Sequence, residues 1–224
     1  LREILPEVAD LVGCTQPPEF HPEGDVFTHT RLALDALGDA PSPELTFAVL
    51  LHDVGKPPTR TEAEGDRIRF NLHHRVGTGL TRAICERFRF SGAQTDHIVE
   101  LVNDHMKFCS VADMRESTLK RFLRSPHILD LLELHRVDCV ASHGDLGNYH
   151  LCRQRLETLS QEDIRPPRLL SGDDLLDLGY SAGPLFRTIL TRVEDAQLDG
   201  QVATRDDALA LIRSEFPRGR DIRR

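Results

Sequence analysis

Apolar residues recur at intervals of three and four along most of the chain, and regular alternation of apolar and polar residues is almost absent. This spacing gathers apolar side chains on one face of an α-helix and is not typical of strands. We therefore predict an all-α protein. The predicted helices cover residues 2–13, 25–38, 43–54, 73–90, 92–106, 116–124, 127–142, 145–159, 172–178, 182–197 and 205–215, with a short hairpin or loop at 66–71.

Proline and glycine mark the joins between these helices. The strongest break is the pair Pro166-Pro167, which lies between two arginines. We place a domain boundary there, so that residues 1–165 form a helical bundle and residues 166–224 form a short C-terminal helical tail. The basic residues 218–224 are predicted to be a frayed end.

Composition then excludes several functional classes. The 224 residues include 28 Lys and Arg against 36 Asp and Glu, which gives a formal charge of −8. This charge argues against a general nucleic-acid binder, because affinity for phosphate backbones comes mainly from Lys and Arg. Five widely spaced cysteines, the lack of a secretory signal and the lack of a membrane-length apolar run predict a cytoplasmic protein with no membrane partner.

One feature of the composition needs an explanation: the chain has 11 His against 2 Tyr and no Trp. Several of these histidines interrupt apolar helix faces. His29 shares the stripe of Val26 and Ala33, for example, and the pair His52-Asp53 follows an apolar run at residues 45–51. The inward-facing residues of this kind are His29, His52, Asp53, His73, His105 and Asp138.

A buried imidazole or carboxylate is costly unless it is paired or bound to a metal. Any one of these histidines, taken alone, is better explained as a hydrogen-bonded core residue. Six such side chains on converging apolar faces instead favour one or two divalent cations, namely Mn, Fe, Co, Ni, Zn or Mg. A chain of this length folds without a structural metal, so we predict that the metal serves chemistry.

The order of these residues resembles the HD-domain superfamily of metal-dependent phosphohydrolases, which is named after the dipeptide seen here as His52-Asp53. The resemblance covers nearly the whole chain and implies an HD-domain helical bundle over residues 1–165. It is closest to the HD region that follows the polymerase head of bacterial CCA-adding tRNA nucleotidyltransferases. The segments that carry it are HPEGDVFTHT at 21–30, LLHDVGKP at 50–57, FNLHHRVG at 70–77 and DCVASHG at 138–144.

The polymerase head of those enzymes carries a Gly-Ser pair and an Asp-x-Asp pair on a sheet. This chain contains neither motif, and it does not begin with methionine. We therefore expect an HD unit without the head, cut from a longer protein or encoded as a short one, that does not add nucleotides by that mechanism.

The resemblance also implies roles for individual residues. One metal would be held by His29, His52, Asp53 and Asp138, and a second by Asp53, His73 and His105, so that Asp53 bridges a binuclear site. Asp53 and Lys56 are the predicted catalytic residues. The predicted substrate-binding residues are Lys56, Arg75, His74, Lys107 and His143. His74 remains an alternative ligand to His73, although the helical register favours His73.

The leading hypothesis is metal-dependent hydrolysis of phosphate esters by a metal-activated water. The substrate would be a phosphodiester, a 2′,3′-cyclic nucleotide or a phosphomonoester, with promiscuity among them, and tRNA or an RNA 3′ end is a further candidate partner. Two alternatives stay open: an HD-fold di-iron oxygenase, and a tRNA-binding body module of a nucleotidyltransferase. The oligomeric state is not predicted.

Overall fold

The protein is described by a computed structural model that covers residues 1–62 and 67–217. Nearly all regular structure in these residues is helical, which confirms the predicted all-α class. The helices are α1 (Pro6–Ala9), α2 (Val26–Asp35), α3 (Pro43–Leu51), α4 (Lys56–Thr59), α5 (His73–Arg87), α6 (Gly92–Asp104), α7 (Glu116–Leu123), α8 (Ile128–Ala141), α9 (Gly147–Thr158), α10 (Gln161–Ile164), α11 (Gly172–Asp177), α12 (Pro184–Leu198) and α13 (Arg205–Glu215). A 3₁₀ helix (His105–Asp113) follows α6, and the strands β1 (Arg60–Thr61) and β2 (Arg69–Phe70) pair antiparallel between α4 and α5.

Most predicted helices are present with ends shifted by a few residues, and the differences have local causes. The helix predicted at 2–13 is a single turn, because Pro6 fits only the first turn and Gly13 has a positive φ of 77°. The helix predicted at 92–106 ends at Asp104, where the backbone tightens into the 3₁₀ helix. Part of the hairpin predicted at 66–71 forms β2, while residue 66 and the end predicted to fray at 218–224 lie outside the described residues.

The chain divides into two compact units. Unit 1 comprises Leu1–Ala112 and Pro126–Gln154, and unit 2 comprises Asp113–Ser125 and Arg155–Arg224. Unit 2 therefore takes in more of the chain than the tail predicted after residue 165, because α7 packs against α12. The boundary at 165 stays a prediction about sequence domains.

Unit 1 is built around the apolar helix α3. Ser42 caps the start of this helix by accepting from the backbone N–H of Leu45, and Pro43 occupies its first turn. Helices α2, α6 and α8 all pack against α3. Because α3 is surrounded in this way, the residues that follow its last turn emerge in the interior of the unit. A cluster of buried side chains fills this core: Val8, Leu11, Cys14, Val26, Leu51, Val54, Ile84 and Val102.

Unit 2 contains a separate apolar core. Its helices α11 and α13 both begin with a capping box, in which Ser171 pairs with Asp174 and Thr204 pairs with Asp207. The buried residues of this core are Leu170, Leu175, Ile189, Val193, Ala208 and Ile212. In the part of the chain that the structure describes, no helix is long and apolar enough to cross a membrane.

Candidate metal centre

Three buried histidines at the ends of elements in unit 1 share one geometry. His52 follows α3, His73 begins α5 and His105 follows α6. The Nδ1 atom of each ring lies 2.8, 3.0 and 2.7 Å, respectively, from the carbonyl oxygen three residues earlier in the chain. A carbonyl oxygen only accepts, so Nδ1 carries a proton, which leaves Nε2 as the ring nitrogen that can bind a metal. The hydrogen bonds therefore fix each ring with Nε2 facing the interior.

The fourth histidine, His29, is the fourth residue of α2 and is fully buried. Its Nδ1 donates to Oε1 of Glu23 at 2.7 Å. Its Nε2 lies 3.0 Å from Oδ1 of Asp138 on α8 and 3.3 Å from Nε2 of His52. His29 therefore presents the same nitrogen to the interior as the other three histidines, but a side chain anchors it instead of a backbone carbonyl.

Asp53 lies between His52 and His73. Its Oδ2 lies 3.3 Å from Nε2 of His52, and its Oδ1 lies 3.4 Å from Nε2 of His73. The Nε2 atoms of His73 and His105 are 3.2 Å apart. The structure thus brings together all six residues predicted as ligands, in one group of His29, His52 and Asp138 and a second group of Asp53, His73 and His105.

The protonation of these groups bears on whether a cation fits. Burial and, to a smaller extent, the neighbouring His52 lower the pKa of His105 to about 3, so the His105 ring is neutral near pH 7. Burial also lowers the pKa of His73. Two neutral rings whose Nδ1 protons are engaged elsewhere then face each other with lone pairs. A divalent cation between them and Asp53 would satisfy these lone pairs, and the mixed imidazole and carboxylate donors suit a first-row transition metal.

In the group of His29, His52 and Asp138, the protonation differs from that of His73 and His105. Burial lowers the pKa of His29, but its hydrogen bonds to Asp138 and Glu23 outweigh this effect and raise it to about 9. Burial likewise opposes ionisation of Asp138, yet its hydrogen bond to His29 keeps its pKa below the ordinary value. A proton therefore holds this pair together, at the position where a metal would bind both residues.

Lys56 lies buried beside the two groups. Its Nζ is 2.7 Å from Oδ2 of Asp53, donates to Oε1 of Gln16 at 2.7 Å, and lies 5.6 Å from the centre of the Phe70 ring. Burial raises the pKa of Asp53, but the positive charge of Lys56 and the proximity of His52 lower it well below its ordinary value. Asp53 is therefore ionised, as a bridging ligand must be.

A cavity of about 580 Å³ opens beside these residues. Among the residues predicted to bind substrate, Lys56, His74 and His143 line it, whereas Arg75 and Lys107 do not. Lys107 is instead paired with Asp104 at 2.6 Å. The cavity wall also contains Arg67, which precedes β2, and Arg69, which lies in β2; neither was predicted from the sequence, because so short a hairpin has no hydrophobic period. His74 lies in the wall while His73 reaches Asp53, so the geometry favours His73 as the ligand.

A close backbone crossing sets the position of His73. A Cβ atom added to Gly55 would lie 2.1 Å from the carbonyl oxygen of His73 and 2.6 Å from the backbone nitrogen of Gly77. Only glycine allows the turn after Asp53 to approach the first turn of α5 so closely. Gly55 therefore allows the turn that carries His52 and Asp53 to contact the start of α5, which carries His73.

A helical bundle in which a His-Asp turn meets histidines from the neighbouring helices is the arrangement expected of an HD domain. The HD domain family model matches residues 25–143, which is more than half of the chain and contains all six candidate metal ligands. The chain belongs to the HD domain family. This confirms the family expected from the sequence.

Two of the curated relatives are named as tRNA nucleotidyltransferases. The chain is 35% identical to the A-adding tRNA nucleotidyltransferase of Deinococcus radiodurans, over 93% of the chain and 50% of that protein. It is 33% identical to the CC-adding tRNA nucleotidyltransferase of Thermus thermophilus, over 95% of the chain and 49% of that protein. A multifunctional CCA protein of Halorhodospira halophila is 42% identical over 53% of the chain. The chain thus spans about half the length of the first two relatives, and the predicted resemblance to the HD region of such enzymes is confirmed.

Proposed function

We propose that this chain hydrolyses phosphate esters in a metal-dependent reaction, with one or two divalent ions held by the six residues of the candidate metal centre. The observation that carries this proposal is the position of Asp53, whose two oxygens each face a different group of imidazole nitrogens at the side of an open cavity. Membership of the HD domain family supports the same reaction class.

The bound ions would supply an activated water and would neutralise charge on the phosphate oxygens. The chain's own residues would then position the substrate. Lys56, buried at the cavity wall, carries a point charge that a phosphate oxygen can approach, and His74 and His143 offer ring nitrogens in the same wall. A volume of about 580 Å³ accommodates a molecule of nucleotide size.

The names of the relatives favour a nucleotide or an RNA 3′ end as the source of the ester, because those proteins are named for acting on tRNA. The formal charge of −8 favours a small ester or a strand end over an extended nucleic-acid surface. We propose a phosphodiester such as a 2′,3′-cyclic nucleotide as the substrate, with phosphomonoesters as weaker ones.

The test begins with protein stripped of metal and reloaded with Mn²⁺, Co²⁺, Ni²⁺, Zn²⁺ or Mg²⁺. Turnover is measured on p-nitrophenyl phosphate esters and on a 2′,3′-cyclic nucleotide. The parent chain and a His150→Ala variant, which changes an exposed histidine of unit 1, are expected to show equal metal-stimulated turnover. His52→Ala is expected to lose it. Equal rates for His52→Ala and the parent would refute the proposal.

The alternative of a di-iron oxygenase remains distinguishable by elemental analysis. Iron in protein purified without added metal, together with uptake of dioxygen, would favour that alternative. The body-module alternative instead predicts binding of tRNA that weakens with salt, without hydrolysis of any ester.

A further inference from the structure

We infer that Glu23 is a positioning residue of the metal centre, which fixes His29 as a ligand and links it to His21 in the cavity wall. This inference rests on the proposed metal site. Glu23 precedes α2 by three residues, and its role was not predicted from the sequence.

The first observation is the exceptional anchoring of His29. The other three histidines donate Nδ1–H to a backbone carbonyl three residues earlier. For His29 the corresponding carbonyl belongs to Val26, inside α2, and this oxygen already accepts from the hydroxyl of Thr30 at 2.8 Å. Because this carbonyl lies within the helix and is engaged, His29 needs a side chain as its acceptor.

The second observation is the environment of Glu23. Its side chain is only 6% exposed, and its Oε1 accepts from Nδ1 of His29 at 2.7 Å and from Nδ1 of His21 at 2.9 Å. No donor among the described residues is hydrogen-bonded to its Oε2. Burying a carboxylate is costly unless it is compensated, and here the compensation comes from these two imidazoles.

The same carboxylate also orients a residue of the cavity. His21 lines the cavity, and its ring packs edge-on against the ring of His29 with centroids 5.1 Å apart. With Nδ1 bound to Glu23, the ring of His21 keeps Nε2 for other partners. The three side chains are close enough to hold an ion themselves, but one oxygen of Glu23 already serves both rings, which favours a hydrogen-bonded relay over a third metal position.

The test titrates the metal-stripped chain with Co²⁺ and follows its visible absorption, which reports the ligands of the ion. Glu23→Leu removes the acceptor, and Glu23→Gln keeps an acceptor oxygen but removes the charge. Glu19→Gln is the matched control, because Glu19 is an exposed carboxylate four residues away. Circular dichroism and thermal unfolding of each metal-free variant show whether it is folded.

Removal of such an outer hydrogen-bond partner weakens metal binding by about 10–100-fold, which is the loss expected for Glu23→Leu. Glu23→Gln is expected to lose about 3–10-fold, because a neutral acceptor makes a weaker hydrogen bond than a charged one. The loss should affect one Co²⁺ equivalent and spare the equivalent bound by His73 and His105. Glu19→Gln should bind as the parent does.

Parent-like Co²⁺ affinity in both Glu23 variants would overturn the inference, as would equal weakening of both equivalents, which indicates general damage. If Glu23→Leu does not fold, the comparison of Glu23→Gln with Glu19→Gln decides. A third Co²⁺ equivalent that Glu23→Leu abolishes would also contradict it. Because the readout is metal binding, Glu23-dependent binding without turnover would refute only the proposed hydrolysis, and a parent that binds no Co²⁺ would refute both.

Discussion

The two units of this chain bury different kinds of side chain. With the exception of Ser117, every buried polar or charged residue in the described ranges 1–62 and 67–217 belongs to unit 1. The core of unit 2 is apolar, and its arginines pair with carboxylates at the surface, as Arg192 does with Glu215 and Arg205 with Asp174. Buried charge is costly in both units. Only unit 1 bears this cost, and it does so where the candidate metal centre lies.

The comparison indicates that charge serves different purposes in the two units. In unit 1, Asp53 and Lys56 are held inside the protein by partners on several elements, so their positions are fixed. In unit 2, Arg121 and Glu194 remain partly exposed, where water screens their interaction. We expect changes to unit 1 charges to alter chemistry strongly and changes to unit 2 charges to alter stability weakly.

The largest expected effect comes from the bridging position. Asp53→Asn is expected to lower metal-dependent hydrolysis by about 10³-fold, because metal stabilisation of the transition state is worth several kcal/mol. Asp195→Asn is the matched change in unit 2, where Asp195 pairs with Arg121 at 2.7 Å, and it should leave turnover unchanged. Turnover on a p-nitrophenyl phosphate diester measures both. A rate for Asp53→Asn within tenfold of the parent rate would contradict the expectation that the buried charges of unit 1 control the chemistry.

Metal binding should stabilise the units unequally. Mn²⁺ at a hundred times its dissociation constant is expected to add about 2.7 kcal/mol to the free energy of unfolding of unit 1, because only the folded site binds the ion. Hydrogen exchange measured by mass spectrometry should then slow in α2, α3, α5 and α8 but not in α11, α12 and α13. Excess chelator should reverse the change. Equal protection of both sets of helices would contradict a metal site confined to unit 1.

A pair of glycine substitutions compares the packing of the two units. Gly55→Ala is expected to lower the free energy of unfolding of unit 1 by about 1–3 kcal/mol, because the added Cβ would overlap the backbone of α5. It should also displace His73 and weaken metal binding. Gly172→Ala in unit 2 places its Cβ 3.7 Å from the Phe186 ring, an ordinary contact, and should change stability by less than about 1 kcal/mol. Urea unfolding followed by hydrogen exchange distinguishes the two; a neutral Gly55→Ala would show that the crossing tolerates a side chain.

The sequence predicts the parts of the site that helical periodicity encodes. His29 and Asp138 fall on apolar faces, and His52-Asp53 ends an apolar run, so their position on the inner side of unit 1 follows from spacing alone. Glu23 and Gln16 lie in loops before α2, where no period predicts where a side chain points. Their roles depend on how these loops pack against His29 and Lys56, which are 6 and 40 residues away in sequence.

The division into units shows the same limit. The break at Pro166-Pro167 is visible in the sequence because proline interrupts helices. The inclusion of α7 in unit 2 is not, because it depends on long-range pairs such as Arg124 with Glu194. The helix predicted at 2–13 is longer than the single turn of α1. Apolar residues at helical spacing also occur in a segment that is held by successive turns, and the spacing alone does not distinguish the two.

The smallest expected effect tests the surface pairs of unit 2 through their pH dependence. Burial raises the pKa of Glu194, but Arg124 and Arg121 outweigh it, so the pKa lies below its ordinary value of 4.5. The carboxylate therefore stabilises the folded unit above pH 4.5, and this contribution is lost as the pH falls through the lowered pKa. Glu194→Gln should cost about 0.5–1 kcal/mol at pH 7 and low salt, because the pair is partly exposed, and almost nothing at pH 3 or in 1 M salt.

Glu162→Gln, which changes an exposed carboxylate of the same unit, is the control, and its effect should depend less on pH and on salt. Urea unfolding of unit 2 followed by hydrogen exchange at the two pH values measures the difference, and a cost for Glu194→Gln that grows toward acid pH would reverse the assigned sign.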